Sequence, residues 1–161
     1  AEDGGLVVWA TPEEHDRMMT IVQAVRHFAS VALGYFMSQE GVDLGRSLEF
    51  ASPVYRLELD IVGRLFAQDP ALYADIMMAT PERREAIGRM ARTCAELADV
   101  VARADRPGLI ERFERTQRFF GAEAARSLEE SAYLIEVLSE RLAGGPGCRS
   151  APRIREPSGG C

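Results

Sequence analysis

Lysine is absent from the 161 residues, so all 19 basic side chains are arginine, and 25 acidic ones outnumber them to leave a formal net charge of −6. A chain of that balance lacks the basic patch that displaces counterions from a phosphate backbone, and neither nucleic acid nor an anionic membrane surface is expected as a partner. Any anion recognised here is met by guanidinium groups, which stay charged and present a planar fork. Long apolar runs are missing too. Nothing approaches the roughly eighteen continuous apolar residues of a membrane span, and no charged-then-apolar leader opens the chain. Cysteine is scarce: Cys94, Cys148 and Cys161 are odd in number, far apart and without paired metal-ligand spacing. They read as reduced thiols of a cytoplasmic protein. The two histidines, His15 and His27, are too far apart to share a metal from one helix, which needs spacings of about three or four residues. There is no GxGxxG or Walker loop, no GxSxG elbow and no HExxH, so no catalytic or cofactor-binding residue is assigned to this chain. An initiator methionine is lacking as well, which suggests a processed or excised piece.

What is present is the material of one globular domain, 47% hydrophobic and 27% charged, enough for a core. Gly5 to Ala10 is a short, β-branched apolar run that reads as a strand. Thr11-Pro12-Glu13-Glu14 then has the form of a capping box with proline at the first helical position. One long helix is expected from Pro12 to about Ser38, ended by Gly41. A short helix follows near Gly45 to Phe50. Ser52-Pro53, Asp69-Pro70, Thr80-Pro81 and Arg106-Pro107 each start another, and a last helix runs from Ala122 to Ala143. The closing GGPGCRSAPRIREPSGGC, rich in Gly, Pro and Ser, is expected to be disordered. The fold class is therefore all-α, a multi-helix domain over residues 11–143. It is preceded by an orphan strand and linker in residues 1–10 and followed by a tail in 144–161. A lone strand is unstable without partners, so this one has lost its sheet.

On a helical wheel, Asp16, Thr20, Gln23, His27, Ser30 and Gly34 fall within roughly 40° of one line. Ile21, Val22, Val25, Phe28, Leu33 and Phe36 cover the opposite side. A strip so poor in charge suits a cleft better than water, and Ser30 and Gly34 leave room for an occupant. His15 lies near the helix start, off that strip, where a locally bonded or solvated role suffices. On the helix that starts at Ser52-Pro53, Arg56, Asp60 and Arg64 repeat at four-residue spacing. They form either a surface ion-pair ladder or a frame from which Arg64 reaches a substrate carboxylate. The run ERFERTQRFF reads as a charged face with core phenylalanines, and Glu129, Glu130, Glu136 and Glu140 as solvent exposed.

The stretches ATPEEHDRMMTIVQAVRHFASVALG and ASPVYRLELDIVGRLFAQDPALYADIM resemble the C-terminal helical domain of the prephenate dehydrogenase family, most closely the bacterial form fused to chorismate mutase. The resemblance covers about residues 5 to 143. It implies an intertwined homodimer that closes a substrate site, and a separate Rossmann domain that binds NAD or NADP and holds the catalytic histidine. The strand Gly5 to Ala10 would then be the last of that missing sheet. His27 falls where the family faces prephenate or tyrosine, and Arg64 where it binds the ring carboxylate. Gln23 and Tyr73 are further substrate-binding candidates, and His15 a positioning residue. The implied reaction is oxidative decarboxylation of prephenate to 4-hydroxyphenylpyruvate in tyrosine biosynthesis, which the isolated chain should not perform. Two alternatives stand beside it: a dehydrogenase of 4-amino-4-deoxyprephenate for natural products, and a stand-alone helical module that senses tyrosine or serves assembly.

Overall fold

The computed structural model describes residues 7–143. Every regular element among them is helical, as the all-α expectation requires. Helix α1 (Pro12–Met19), a π-helical segment (Thr20–Val25) and α2 (Arg26–Gln39) run on without a break as one long rod. After it come α3 (Leu44–Glu49), α4 (Pro53–Phe66), α5 (Pro70–Met78), α6 (Pro81–Ala102) and α7 (Arg106–Phe120). These belong to one unit ending at Gly121, and α8 (Ala122–Ala143) belongs to a second.

The helix starts follow from local chemistry. The side chains of Thr11, Asp43, Ser52, Asp69, Thr80 and Asp105 each accept a hydrogen bond from a backbone N–H of the first turn they precede. Proline stands within the first two positions of α1, α4, α5, α6 and α7, where its missing N–H leaves no bond unmade. The end of α2 is equally explicit. Val42 N donates to Met37 O and Gly41 N to Ser38 O, a reciprocal pair that requires the left-handed backbone Gly41 adopts at φ +62°. The same pair of bonds closes α6 through Asp105 and Ala104, but there the left-handed residue is Ala104, at φ +52°.

Within the first unit α4, α5 and α6 pack on the long rod, and α7 packs on α6. Helix α4 lies along α2, while α5 and α6 lie against the π-helical segment, whose Ala24 is fully enclosed. The close approach of α2 and α4 depends on Gly34. A Cβ there would stand 2.2 Å from Cε2 of Phe66 and 3.1 Å from Cγ1 of Val62. The room left by this glycine is thus filled by an α4 side chain rather than offered to a ligand, which corrects the reading of Gly34 as cleft space.

Four more expectations need revision or fall outside the described residues. No ion pair joins Arg56, Asp60 and Arg64, so the ladder on α4 does not form among the described residues. Phe113, Phe119 and Phe120 are not core in one copy of the chain; Phe119 is 84% exposed. Residues 5 and 6 of the expected strand lie outside the described part, and Val7 to Ala10 carry no regular structure. The expected disordered tail, residues 144–161, also lies outside the described residues. The glutamates of α8 are exposed as expected.

Alanine for glycine inside a helix ordinarily adds about 0.5–1 kcal/mol of stability. At Gly34 the Phe66 ring should cancel or reverse that gain, and in a Phe66→Ala background Gly34→Ala should recover it. Denaturant melts of the two single variants and the double variant check this, and strict additivity would mean that the contact carries no energy.

Candidate functional site

His27 is the second residue of α2, just after the π-helical segment, and is partly buried. Its ring meets Tyr73 of α5 edge to face, with centroids 4.8 Å apart and planes at 82°. Such a contact joins two elements far apart in sequence and fixes the imidazole plane. On the other side, Arg26 Nη1 lies 3.1 Å from His27 Nδ1. A guanidinium can only donate, so Nδ1 accepts and the imidazole proton sits on Nε2. Burial, and secondarily the Arg26 charge, hold the His27 pKa below its ordinary 6.5. At neutral pH the site therefore presents a neutral imidazole with an Nε2–H to donate.

Gln23 sits four residues earlier, inside the π-helical segment, half-buried and with no side-chain hydrogen bond among the described residues. A π turn holds an extra residue, so the angle from Gln23 to His27 is not that of a regular helix. The polar strip is broken accordingly. Thr20 Oγ1 donates to Asp16 O and Ser30 Oγ to Arg26 O, which ties both hydroxyls to their own helix. His15 is exposed and bonds locally, with Nδ1 3.2 Å from Asp16 Oδ1.

Arg64 stands in the last turn of α4, exposed, roughly 130° around the helix from the buried Val62 and Leu65. Among the described residues nothing pairs with its guanidinium, and no bond links it to His27, Gln23 or Tyr73. One copy of the chain thus brings His27 and Tyr73 into contact, with Gln23 a turn away, and leaves Arg64 turned outward. The groove of about 390 Å³ between α2 and α4 is a different place. It is lined by Ser30, Leu33, Leu57, Ile61 and Val62, with Glu58, a carboxylate that would repel an anion. Arg83 drew no notice in the sequence, and Arg56 was read there only as part of the four-residue repeat. Arg56 has a buried Nε without a partner, and Arg83 is only 8% exposed. A single arginine among charged neighbours gives no signal of burial. No cluster of three potential metal ligands occurs among the described residues, and none of their helices is long and apolar enough to cross a membrane.

Residues 11–115 match the family described as the prephenate dehydrogenase dimerization domain. The chain belongs to that family. Among curated relatives, a probable arogenate/prephenate dehydrogenase of Methanocaldococcus jannaschii is 36% identical over 141 residues, covering 88% of this chain and 32% of the relative. The T-protein of Enterobacter agglomerans is 43% identical over 127 residues, 79% of this chain and 34% of the relative. A 4-amino-4-deoxyprephenate dehydrogenase of Streptomyces pristinaespiralis is 28% identical over 139 residues, 86% of this chain and 44% of the relative. The chain spans about a third of the length of the first two. Its matched span includes His15, Gln23, His27, Arg64 and Tyr73, so every candidate residue lies in the dimerization domain of this dehydrogenase family.

Truncating Tyr73 to Ala should re-expose the imidazole and raise the His27 pKa toward 6.5, read by NMR titration of the imidazole protons. The sign for stability follows from the lowered pKa. The fold disfavours the charged ring, so the contribution of His27 is complete above about 6.5 and declines as the pH falls through the lowered value. The Tyr73→Ala chain should lose part of that dependence.

Proposed function

We propose that this chain is the dimerisation and substrate-binding part of a prephenate dehydrogenase-type oxidoreductase of tyrosine biosynthesis. The parent enzyme converts prephenate to 4-hydroxyphenylpyruvate by NAD(P)-dependent oxidative decarboxylation, and this chain alone is inactive. The observation that carries the reading is the His27–Tyr73 pair within the matched family span: a neutral imidazole, held in plane by an aromatic edge, with an Nε2–H to give. Prephenate carries two carboxylates. The unpaired fork of Arg64 suits the one on the ring, which leaves as CO₂, and His27 and Gln23 suit other polar groups of the ligand. Tyr73 orients His27 and offers its ring to the substrate face, and His15, exposed near the start of α1, is a positioning residue rather than a catalytic one. When bound, the nicotinamide accepts the hydride. This sequence holds no glycine-rich phosphate loop, so no residue here is assigned to NAD or NADP, and the Rossmann domain that would carry it is a partner of this chain.

The homodimer is part of the same proposal. One copy leaves Tyr35, Phe36, Phe113 and Phe119 more than half exposed in the first unit, and Leu128 and Tyr133 likewise on α8. Apolar surface on that scale is what a second copy covers. A second copy also supplies what the single chain lacks around Arg64, a facing wall for the substrate. Sedimentation at micromolar concentration should show a dimer, and the melting temperature should rise with protein concentration. A monomer whose melting is independent of concentration would overturn the homodimer.

A 4-amino-4-deoxyprephenate substrate is the second reading, favoured by the Streptomyces relative of that name. Both substrates keep the ring carboxylate, so Arg64 serves either. Calorimetry with prephenate, its 4-amino analogue and tyrosine separates the readings. Prephenate should bind, and Arg64→Ala should weaken it roughly tenfold to a hundredfold, the loss of one charge-assisted hydrogen-bonded pair. Tighter binding of the amino analogue would shift the assignment to the second reading, and binding of tyrosine alone would favour a sensor. Binding of none of the three would remove the substrate role.

A further inference from the structure

A guanidinium enclosed in protein with no carboxylate beside it is costly, because the charge gives up water without gaining a counter-charge. Arg83, in the first turn of α6, is such a group. It is 8% exposed, and no ion pair reaches it among the described residues. Its Nη1 donates to the carbonyl oxygen of Ile76 at 2.9 Å, while its Nε finds no acceptor. Arg84, the next residue, donates through Nη1 to the carbonyl oxygen of Met78 at 2.6 Å. Both carbonyls lie in the last turn of α5, where a helix leaves its carbonyls unpaired and carries partial negative charge.

Only Ala79 and Thr80 separate α5 from α6, and the Thr80 side chain caps α6 by accepting from Arg83 N at 3.3 Å. The start of one helix therefore grips the end of the other. Arg84 does so from solvent, where its side chain has other positions to take. Arg83 is walled in, so its planar fork holds one direction of approach. Tyr73 stands three residues before Ile76 on the same face of α5, and its ring is the one that meets His27.

We infer that Arg83 is a positioning residue of the His27 site: by clamping the C-terminal turn of α5 it keeps Tyr73 edge-on against His27. This deepens the proposed function and rests on its reading of His27 and Tyr73 as substrate-facing. The role differs from that of a plain helix cap. A solvated cap would satisfy the Ile76 carbonyl equally well, but it would not fix where the helix end sits.

The chain has two histidines, so its imidazole NMR spectrum contains His27 and one internal reference, His15. The 161-residue wild-type chain and its Tyr73→Leu, Arg84→Met, Arg83→Met and Arg83→Gln variants are compared without ligand. Tyr73→Leu should abolish the ring-current displacement of the His27 resonances. Arg83→Met should reduce it by at least half with His15 and the helical circular dichroism unchanged, and Arg84→Met should reduce it less. A folded Arg83→Met chain with wild-type His27 resonances overturns the inference. Should Arg83→Met fail to fold, Arg83→Gln takes its place, since it keeps a donor without the charge or full reach. An intermediate displacement is then expected, and a wild-type one overturns the inference. Failure of both to fold also overturns it, since Arg83 would then serve folding rather than position. Adding prephenate to the wild-type chain tests the underlying reading separately. If His27 does not respond, the substrate assignment falls while the ring-current comparison stands.

Discussion

Enclosure is what this chain has least of. Ala24, Val62, Leu65, Ala86 and Val100 are the only buried apolar residues in one copy among the described residues, and two of the five are alanines. A buried aliphatic side chain contributes about 1.5–3 kcal/mol, whereas ordering each backbone residue costs about 1–2 kcal/mol. A helical chain with so little enclosed leaves apolar surface open, which is the surface the proposed homodimer would cover. That makes the exposed phenylalanines of α7 something other than misplaced residues. In one copy they are exposed, so the expectation of core phenylalanines in ERFERTQRFF is not met there, and the homodimer proposed above is what would cover them.

The same constraint explains where the candidate site lies. With so little enclosed, the best-buried place in the rod is Ala24, in the π-helical segment that α5 and α6 lie against. His27 follows immediately and shares that local shelter, which is enough to hold its imidazole neutral. A π turn costs hydrogen-bond quality and persists where surrounding packing holds it, often beside functional groups. Here it contains Gln23 and ends two residues before the sheltered imidazole, and it changes the direction in which everything before it faces relative to everything after.

That segment also marks the limit of what could be read from the residues. Helix boundaries were legible to within a residue or two because each start carries its own chemistry. An Asp, Ser or Thr cap with proline behind it is a local signal, and local signals survive without tertiary information. A π turn has no such signature, so a wheel drawn at a constant 100° places Asp16 and Thr20 in line with Ser30 across an interruption it cannot see. The Tyr73 contact was legible only as nearness within a motif, since its geometry depends on α5 folding back to the rod. Gly34 misled for a related reason. A glycine on a polar strip announces that space is needed there, but not whether the space admits a ligand or, as it does, the ring of Phe66.

Arginine shows how far one side chain can differ with enclosure. In a chain without lysine, the same group must serve every cationic purpose. Arg64 is solvated and unpaired, so both edges of its fork remain open to a carboxylate. Arg83 is walled in, with one nitrogen committed to the Ile76 carbonyl and another idle. A lysine at position 64 would offer a point charge and lose the bidentate match, while at position 83 its flexible ammonium would lose the fixed direction. On the roles proposed for them, the two sites would use the guanidinium for different properties, one for its pair of donors and the other for its rigidity. A bias toward arginine that composition alone leaves unexplained acquires a physical use at each.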